Sequence, residues 1–203
     1  MRCLVLASEL NQLGHNVEFL MWRNDADLTT FVQDSGFSVR YLNYPNNAQP
    51  QFDGDYKNWL PVSEEQDAEQ CILNLDNVEN TDLIIVDHYS LDYDWEDTIK
   101  SRINCKIFAI DDLKRRHKCD GLLDQTLTRS ALEYSKLCPP DSVIFTDTQF
   151  ALLKPEFAQL KQQAESTISQ ANLRLLVSMG GIDNTNITLE ILQQLAAKEI
   201  EHE

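Results

Sequence analysis

Several common features are missing from this sequence of 203 residues, and each absence excludes a class of protein. The longest apolar runs fall far short of the roughly 20 residues of a membrane-spanning helix, so no membrane insertion is predicted. Basic residues are scarce, with 17 lysines and arginines against 33 acidic residues. This balance argues against a general nucleic-acid binder, which needs a basic face. No signal peptide is visible, because the first residues already follow an amphipathic pattern.

Closely spaced cysteines are also lacking. The five cysteines stand far apart, without a CxxC motif and without the cysteine–histidine spacing of a zinc site. No set of histidine and carboxylate residues has ligand spacing either, so we expect neither a metal nor a cofactor. Isolated cysteines, odd in number, suit a reducing compartment, and we predict a cytoplasmic protein.

The middle of the chain contains an apolar run that ends in three polar residues. Residues 83–86 are continuously apolar, which is typical of a strand buried on both faces of a parallel sheet. Asp87, His88 and Tyr89 follow where this strand ends, and open α/β folds bind ligands at that edge. We therefore interpret these three as candidate site residues. The alternative is that Asp87 caps the next helix and His88 packs in a loop.

Two later strands are predicted to bring further polar groups to the same edge. One ends at Asp111 and Asp112, and the next, residues 121–125, ends with Gln125. Three consecutive strands ending in polar groups favour a site over a coincidence. The stretch 111–120 also holds the strongest basic cluster of the chain, which is either a solvated loop or a loop that helps to hold an anionic ligand.

Helices and strands alternate along the chain with short connections, which predicts a doubly wound, Rossmann-like α/β fold with a parallel sheet. Residues 43–61, rich in proline, asparagine and glycine, form a loop long enough to be functional or mobile. Helices are predicted at residues 1–13, from 25 or 27 to 36, at 63–75, 92–103 and 152–170, and from near 186 to 197. Strands are predicted at residues 17–22, 37–42, 83–86, 105–110, 121–125, 143–150 and 173–179.

The order of these elements is unusual at both ends. A doubly wound domain normally opens with a strand in the middle of its sheet, whereas this chain opens with a helix. Either the order of elements is itself unusual or a first strand is lacking. In the second case the sheet would be divided into halves with exposed apolar edges, which would favour self-association. Near the other end, Gly180, Gly181 and Asp183 lie in a strand–turn–helix unit typical of a phosphate cradle, although a plain tight turn fits the glycines equally.

Several short motifs, taken in order, resemble those of one enzyme family. The motifs are residues 1–4, 59–68, the Asp-His-Tyr stretch at 86–89, 111–112, 117–120, 123–125, 151–157 and 178–183. Order and spacing together carry the resemblance, and no single motif is decisive. With these motifs, the sequence resembles the nucleotide-sugar hydrolases of pseudaminic acid biosynthesis, which release UDP from UDP-2,4-diacetamido-2,4,6-trideoxy-β-L-altropyranose.

The resemblance implies the GT-B architecture of MurG-like glycosyltransferases, which have two doubly wound domains. Residues 1–150 would be an amino-terminal domain without its first strand, 151–171 a linker helix, and 172–203 the start of a nucleotide-binding domain. The histidine taken as general base in the family would precede this chain, and His15 is no substitute for it. The resemblance therefore implies that the chain contains no general base and has no useful activity alone.

For a complete enzyme, the resemblance implies water attack at the anomeric carbon of a UDP-sugar, with UDP as the leaving group. Two other functions stay open. One is a glycosyltransferase of the same fold, in which a sugar acceptor replaces water, and the other is a non-catalytic remnant or binding module. Substrate would be contacted by Asp87, His88, Tyr89, Asp111, Asp112 and Gln125, and the diphosphate by Gly180, Gly181 and Asp183.

Overall fold

The computed structural model describes residues 2–23, 28–44, 50–52, 54–164, 175–179, 183 and 185–197. The chain forms two compact units, residues 1–155 and 156–203. The helices are α1 (Arg2–Gln12), α2 (Thr29–Asp34), α3 (Glu64–Asn74), α4 (Tyr93–Arg102), α5 (Pro155–Ala164) and α6 (Ile187–Ala196). The strands are β1 (Glu18–Trp22), β2 (Ser38–Leu42), β3 (Leu83–Val86), β4 (Lys106–Ile110), β5 (Gly121–Asp124) and β6 (Val143–Thr146).

The strands form two parallel sheets. One sheet pairs β1 with β2, and the other has the order β3-β4-β5-β6. Every pair is parallel and helices alternate with the strands, so the predicted doubly wound α/β class is confirmed. Within the described ranges no strand joins the two sheets.

Each sheet has its own hydrophobic core. The larger core lies where α3 and α4 cover the four-stranded sheet, and Trp95, Ile99 and Ile107 are at most 3 % exposed in it. The smaller core packs Ala7 of α1 and Val32 of α2 against the two-stranded sheet. A short amphipathic helix gains most of its stability from such packing, so these helices depend on the sheets that they cover.

Two polar connections link these layers. Arg2 of α1 pairs with Asp87 just beyond β3, with Nη2 and Oδ1 2.6 Å apart. On another side, the carboxylate of Asp67 in α3 accepts hydrogen bonds from Tyr44, which follows β2, and from the indole Nε1 of Trp95 in α4, at 3.0 and 2.7 Å. Asp67 is buried, and a buried carboxylate requires such partners, so its contacts hold β2 against α3 and α4, while the pair of Arg2 with the half-buried Asp87 links α1 to the end of β3.

Local sequence signals explain where several helices begin. Ser63 caps α3 in a reciprocal capping box with Gln66, so the helix begins where it was predicted. Pro155 occupies the first position of α5, where its missing N–H costs no intrahelical hydrogen bond. The predicted starts of α2 at residues 25 or 27 lie outside the described residues. The predicted loop 43–61 contains a 3₁₀ turn, Tyr56–Trp59, near its end.

Two strand predictions need correction. The strand expected at 143–150 ends at Thr146, and Thr148–Phe150 forms a 3₁₀ turn. The strand predicted at 173–179 is wrong for its described part, since residues 175–179 have no strand structure. A strand needs a hydrogen-bonded neighbour, and the described residues of the second unit contain helices but no other strand.

A buried charged group connects α4 to the end of β4. The imidazole of His117 is 1 % exposed, with Nδ1 2.7 Å from Oε1 of Glu96 and Nε2 3.4 Å from Oδ2 of Asp111. Burial disfavours the imidazolium, but the hydrogen bonds and charges of the two carboxylates outweigh burial and raise the pKa of His117 to about 9. His117 is therefore protonated at neutral pH and neutralises part of this buried negative charge.

The raised pKa of His117 predicts a pH-dependent stability. A group whose pKa is raised in the folded state stabilises the fold below its unfolded pKa of about 6.5 and loses this contribution as pH rises through about 9. We expect the free energy of unfolding, measured by urea denaturation, to fall by up to about 3 kcal/mol between pH 6.5 and 9. His117→Gln should flatten this decline, while His15→Gln, at an exposed position, should not. If the free energy of unfolding of His117→Gln fell as much as that of the wild type, the assignment of this pH dependence to His117 would be contradicted.

Candidate functional site

A cavity of about 190 Å³ lies at the carboxyl end of β3, and the predicted stretch Asp87, His88 and Tyr89 lines it. Arg2 of α1 and Trp59 of the 56–59 turn complete the lining. The three polar residues after β3 thus share one cavity, at the edge where parallel α/β sheets bind ligands. Two residues from other parts of the chain, which sequence reasoning had not assigned to the site, form the rest of its wall.

One side of the cavity is aromatic. The rings of Tyr56, Trp59 and Tyr89 pack on one another, with centroids 4.7 to 5.6 Å apart. Trp59 remains 37 % exposed, which is high for a tryptophan that already packs on two rings. An aromatic face left open beside polar groups is typical of pockets that bind a small molecule with both apolar and polar surfaces.

The cavity also carries charges. The guanidinium of Arg2 holds Asp87 through two hydrogen bonds, Nε to Oδ2 at 2.9 Å and Nη2 to Oδ1 at 2.6 Å. Arg2 also lies 3.7 Å from Asp112, which accepts a 2.9 Å hydrogen bond from the hydroxyl of Tyr89. Burial, followed by the charge of Asp87, raises the pKa of the Cys3 thiol to about 12, so Cys3 stays protonated beside this pair.

His88 is fixed by its own loop. Its Nδ1 accepts a 3.1 Å hydrogen bond from the backbone N–H of Ser90. Burial lowers the pKa of His88, and this effect exceeds the opposing influence of the carboxylates of Asp67 and Asp87. The imidazole at the cavity is therefore neutral at pH 7.

Asp111 is placed beneath the cavity wall rather than at its surface. Its side chain is fully buried and accepts hydrogen bonds from Arg115 Nε, at 2.8 Å, and from the Arg115 backbone N–H, at 3.1 Å. The same guanidinium donates to the carbonyl oxygens of Tyr89 and Leu91, at 2.7 and 2.9 Å. Burial raises the pKa of Asp111, but the hydrogen bond with His117 and those with Arg115 outweigh burial and lower it. Asp111 thus positions the loop that carries Tyr89.

Two other predicted residues lie around this edge. Asp112 joins the cavity residues through Tyr89 and Arg2, as described above. Gln125, which follows β5, accepts a 3.1 Å hydrogen bond from the backbone N–H of Leu152 and does not line the cavity. Its amide therefore joins the end of β5 to the segment before α5.

The basic cluster of the 111–120 loop is occupied by intramolecular contacts. Lys114 pairs with Glu133 at 3.2 Å, Arg115 binds Asp111, and Lys118 pairs with Asp97. The guanidinium of Arg116 lies 3.8 Å from the ring centroid of Tyr93, a cation–π contact. Of the two interpretations of this cluster, the contacts favour a structural loop over a site for an anionic ligand.

In the second unit, Gly180 and Gly181 lie outside the described residues. The carboxylate of Asp183 accepts hydrogen bonds from the backbone N–H groups of Ile187 and Thr188, at 2.9 and 2.8 Å. A hydrogen bond with the side chain of Thr188, followed by these backbone bonds, lowers the pKa of Asp183. Asp183 therefore satisfies free N–H groups at the start of α6, as a capping residue does.

A larger cavity of about 570 Å³ lies between the starts of α3 and α4, away from the predicted site residues. Three carboxylates beside it, Glu64, Asp92 and Asp94, have oxygens within 4.8 Å of one another. The sequence did not indicate this cluster, because its members come from separate elements. The carboxylate of Glu64 already accepts hydrogen bonds from the backbone N–H groups of Asp92 and Trp95 at the start of α4, and it therefore caps that helix.

Parts of the sequence are similar to those of known proteins. No protein-family model matches the chain. The chain is 32 % identical over 130 residues to UDP-2,4-diacetamido-2,4,6-trideoxy-β-L-altropyranose hydrolase of Campylobacter jejuni, covering 64 % of this chain and 46 % of that enzyme. It is 21 % identical over 201 residues to the uncharacterized protein MJ1062 of Methanocaldococcus jannaschii, covering 98 % of this chain and 37 % of that protein.

The chain spans less than half the length of these two curated relatives. No described helix is long and apolar enough to cross a membrane. In sequence, the chain is a relative of a UDP-sugar hydrolase.

Proposed function

We propose that this chain carries the sugar-binding side of a nucleotide-sugar hydrolase-like protein of pseudaminic acid biosynthesis, in the cytoplasm. In the complete enzyme, water attacks the anomeric carbon of a UDP-diacetamido-trideoxyhexose and UDP leaves. Residues 1–150 form the amino-terminal GT-B domain, 151–171 a linker, and 172–203 the start of the nucleotide-binding domain. The relation to the Campylobacter jejuni hydrolase supports the reaction class.

The cavity after β3 is the observation that carries this proposal. It combines an open aromatic face, formed by Trp59 and Tyr89, with hydrogen-bonding groups from other residues of its wall. Two carboxylates, Asp87 and Asp112, share one guanidinium, that of Arg2, so this edge has an excess of negative charge. Such a site disfavours a diphosphate and suits a neutral sugar. We assign the diphosphate to the turn at Gly180, Gly181 and Asp183.

Hydrolysis also requires a group that takes a proton from water. None of the described histidines is placed for this role. His15 is exposed after α1, His117 is buried between two carboxylates, and His88 has its Nδ1 bonded to Ser90. We therefore propose that the chain alone binds the UDP-sugar without turning it over.

Isothermal titration calorimetry with UDP-2,4-diacetamido-2,4,6-trideoxy-β-L-altropyranose tests this proposal. Trp59→Ala removes much of the open aromatic face and should weaken binding about tenfold, as expected for the loss of about 1.4 kcal/mol of contact energy. Phe52→Ala is a matched control, because Phe52 is an exposed aromatic residue of the same loop that does not line the cavity. It should leave the affinity unchanged.

Three outcomes would count against the proposal. No binding by the well-folded chain would favour the non-catalytic remnant. Transfer of the sugar to an added acceptor faster than to water, by a full-length relative carrying this segment, would favour a glycosyltransferase. Release of UDP by the chain alone would show that it contains a working base.

We also propose that the chain self-associates through its sheet edges. β3 ends the four-stranded sheet, and its first residue, Leu83, is 45 % exposed. Sedimentation velocity should show concentration-dependent association, which Leu83→Lys should reduce, because a charge on an edge strand opposes pairing. Leu132→Lys, at an exposed leucine outside the sheet, should have no effect. A monomer at all concentrations would contradict this proposal.

A further inference from the structure

The protonation of His88 follows from its contact with Ser90. A backbone N–H can only donate a hydrogen bond, so a ring nitrogen that accepts this bond cannot itself carry a proton. Nδ1 of His88 accepts the N–H of Ser90 at 3.1 Å. In the neutral ring the single proton must then lie on Nε2, which becomes a donor.

The groups around His88 keep this ring neutral. Burial is the largest effect and lowers its pKa, and the positive charge of Arg115 acts in the same direction. The carboxylates of Asp67 and Asp87 oppose this change without reversing it. At pH 7 the ring therefore offers one donor, Nε2–H, and no free acceptor nitrogen.

This donor has no partner within the described part of the chain. Among the described residues, the imidazole makes its hydrogen bond through Nδ1, to the N–H of Ser90. The ring lines the cavity together with Trp59 and Tyr89. A buried or half-buried donor normally has an acceptor, supplied by the protein, by water or by a ligand. A ligand in this cavity can supply that acceptor.

We propose that His88 is a neutral hydrogen-bond donor that positions the sugar by binding the carbonyl oxygen of an acetamido group through Nε2–H, and that it is not the general base. This inference rests on the proposed function. An amide carbonyl is a strong neutral acceptor, and the acetamido methyl group fits against an aromatic ring such as Trp59. A phosphate is disfavoured here, because Asp87 and Asp112 outnumber Arg2.

Nuclear magnetic resonance of the free chain tests the tautomer independently of any ligand. With ¹⁵N-labelled histidine at pH 7, His88 should show a protonated Nε2 and an unprotonated Nδ1. Protonation of Nδ1, or a doubly protonated ring at pH 7, would overturn the inference.

Two substitutions separate the two ring nitrogens. In His88→Asn the side-chain carbonyl can take the place of Nδ1 and accept the N–H of Ser90, but the donor near Nε2 is lost. In His88→Gln an amide donor can reach the position of Nε2, while the acceptor for Ser90 is lost. We expect His88→Asn to keep its thermal stability and His88→Gln to lose some.

Calorimetry with the full chain then measures how much the Nε2–H donor of His88 contributes to the affinity for the UDP-sugar. The affinity for UDP-2,4-diacetamido-2,4,6-trideoxy-β-L-altropyranose should fall about tenfold in His88→Asn and less than about threefold in His88→Gln, as expected for one hydrogen bond. The affinity for UDP, which has no acetamido group, should not change in either variant.

The possible failures can be told apart. If the wild-type chain binds the UDP-sugar and His88→Asn binds it equally well, this inference is wrong and the proposed function stands. If the wild-type chain does not bind the UDP-sugar at all, both the proposed function and the ligand of His88 are wrong. Equal losses for UDP and the UDP-sugar would also contradict an acetamido contact.

Discussion

Two buried carboxylates at the carboxyl ends of β4 and β5 determine much of the structure around the cavity. Asp111 is fully buried and Asp124 is 1 % exposed, so each must be neutralised by a hydrogen-bonded partner. Arg115 pairs with Asp111, and Arg129 pairs with Asp124. Each arginine also donates to backbone carbonyls, Arg115 to the loop after β3 and Arg129 to Asp112 at 3.1 Å. The loops of the site are thus fixed by the charges beneath them.

This arrangement explains the chemistry available at the surface. Among the described residues that line the cavity, Arg2 carries the positive charge, and it is shared between Asp87 and Asp112. Open contacts are supplied by the aromatic rings and by the neutral His88. A site of this kind distinguishes a ligand by shape and hydrogen bonds rather than by net charge, which suits the sugar of a nucleotide-sugar better than its diphosphate.

The sequence predicted the fold class and one wall of the site, because apolar strands that end in polar residues carry both signals locally. The polar end of β3 is an example, and the stretch from Asp87 to Tyr89 indeed lines the cavity. Arg2 and Trp59 were not predicted, since their approach depends on how α1 and a long loop fold against β3. The error at 175–179 has a related cause: an apolar run indicates a strand only where a neighbouring strand is present.

The central claim is that a sugar binds against the aromatic face of this cavity, and the indole N–H signals of the chain test it most directly. The chain has three tryptophans, of which Trp59 lines the cavity, Trp22 lies in β1 and Trp95 is buried in the larger core. In a ¹H–¹⁵N correlation spectrum titrated with UDP-2,4-diacetamido-2,4,6-trideoxy-β-L-altropyranose, the signal of Trp59 should shift while those of Trp22 and Trp95 stay in place. Saturable binding that leaves the Trp59 signal unmoved would contradict the account.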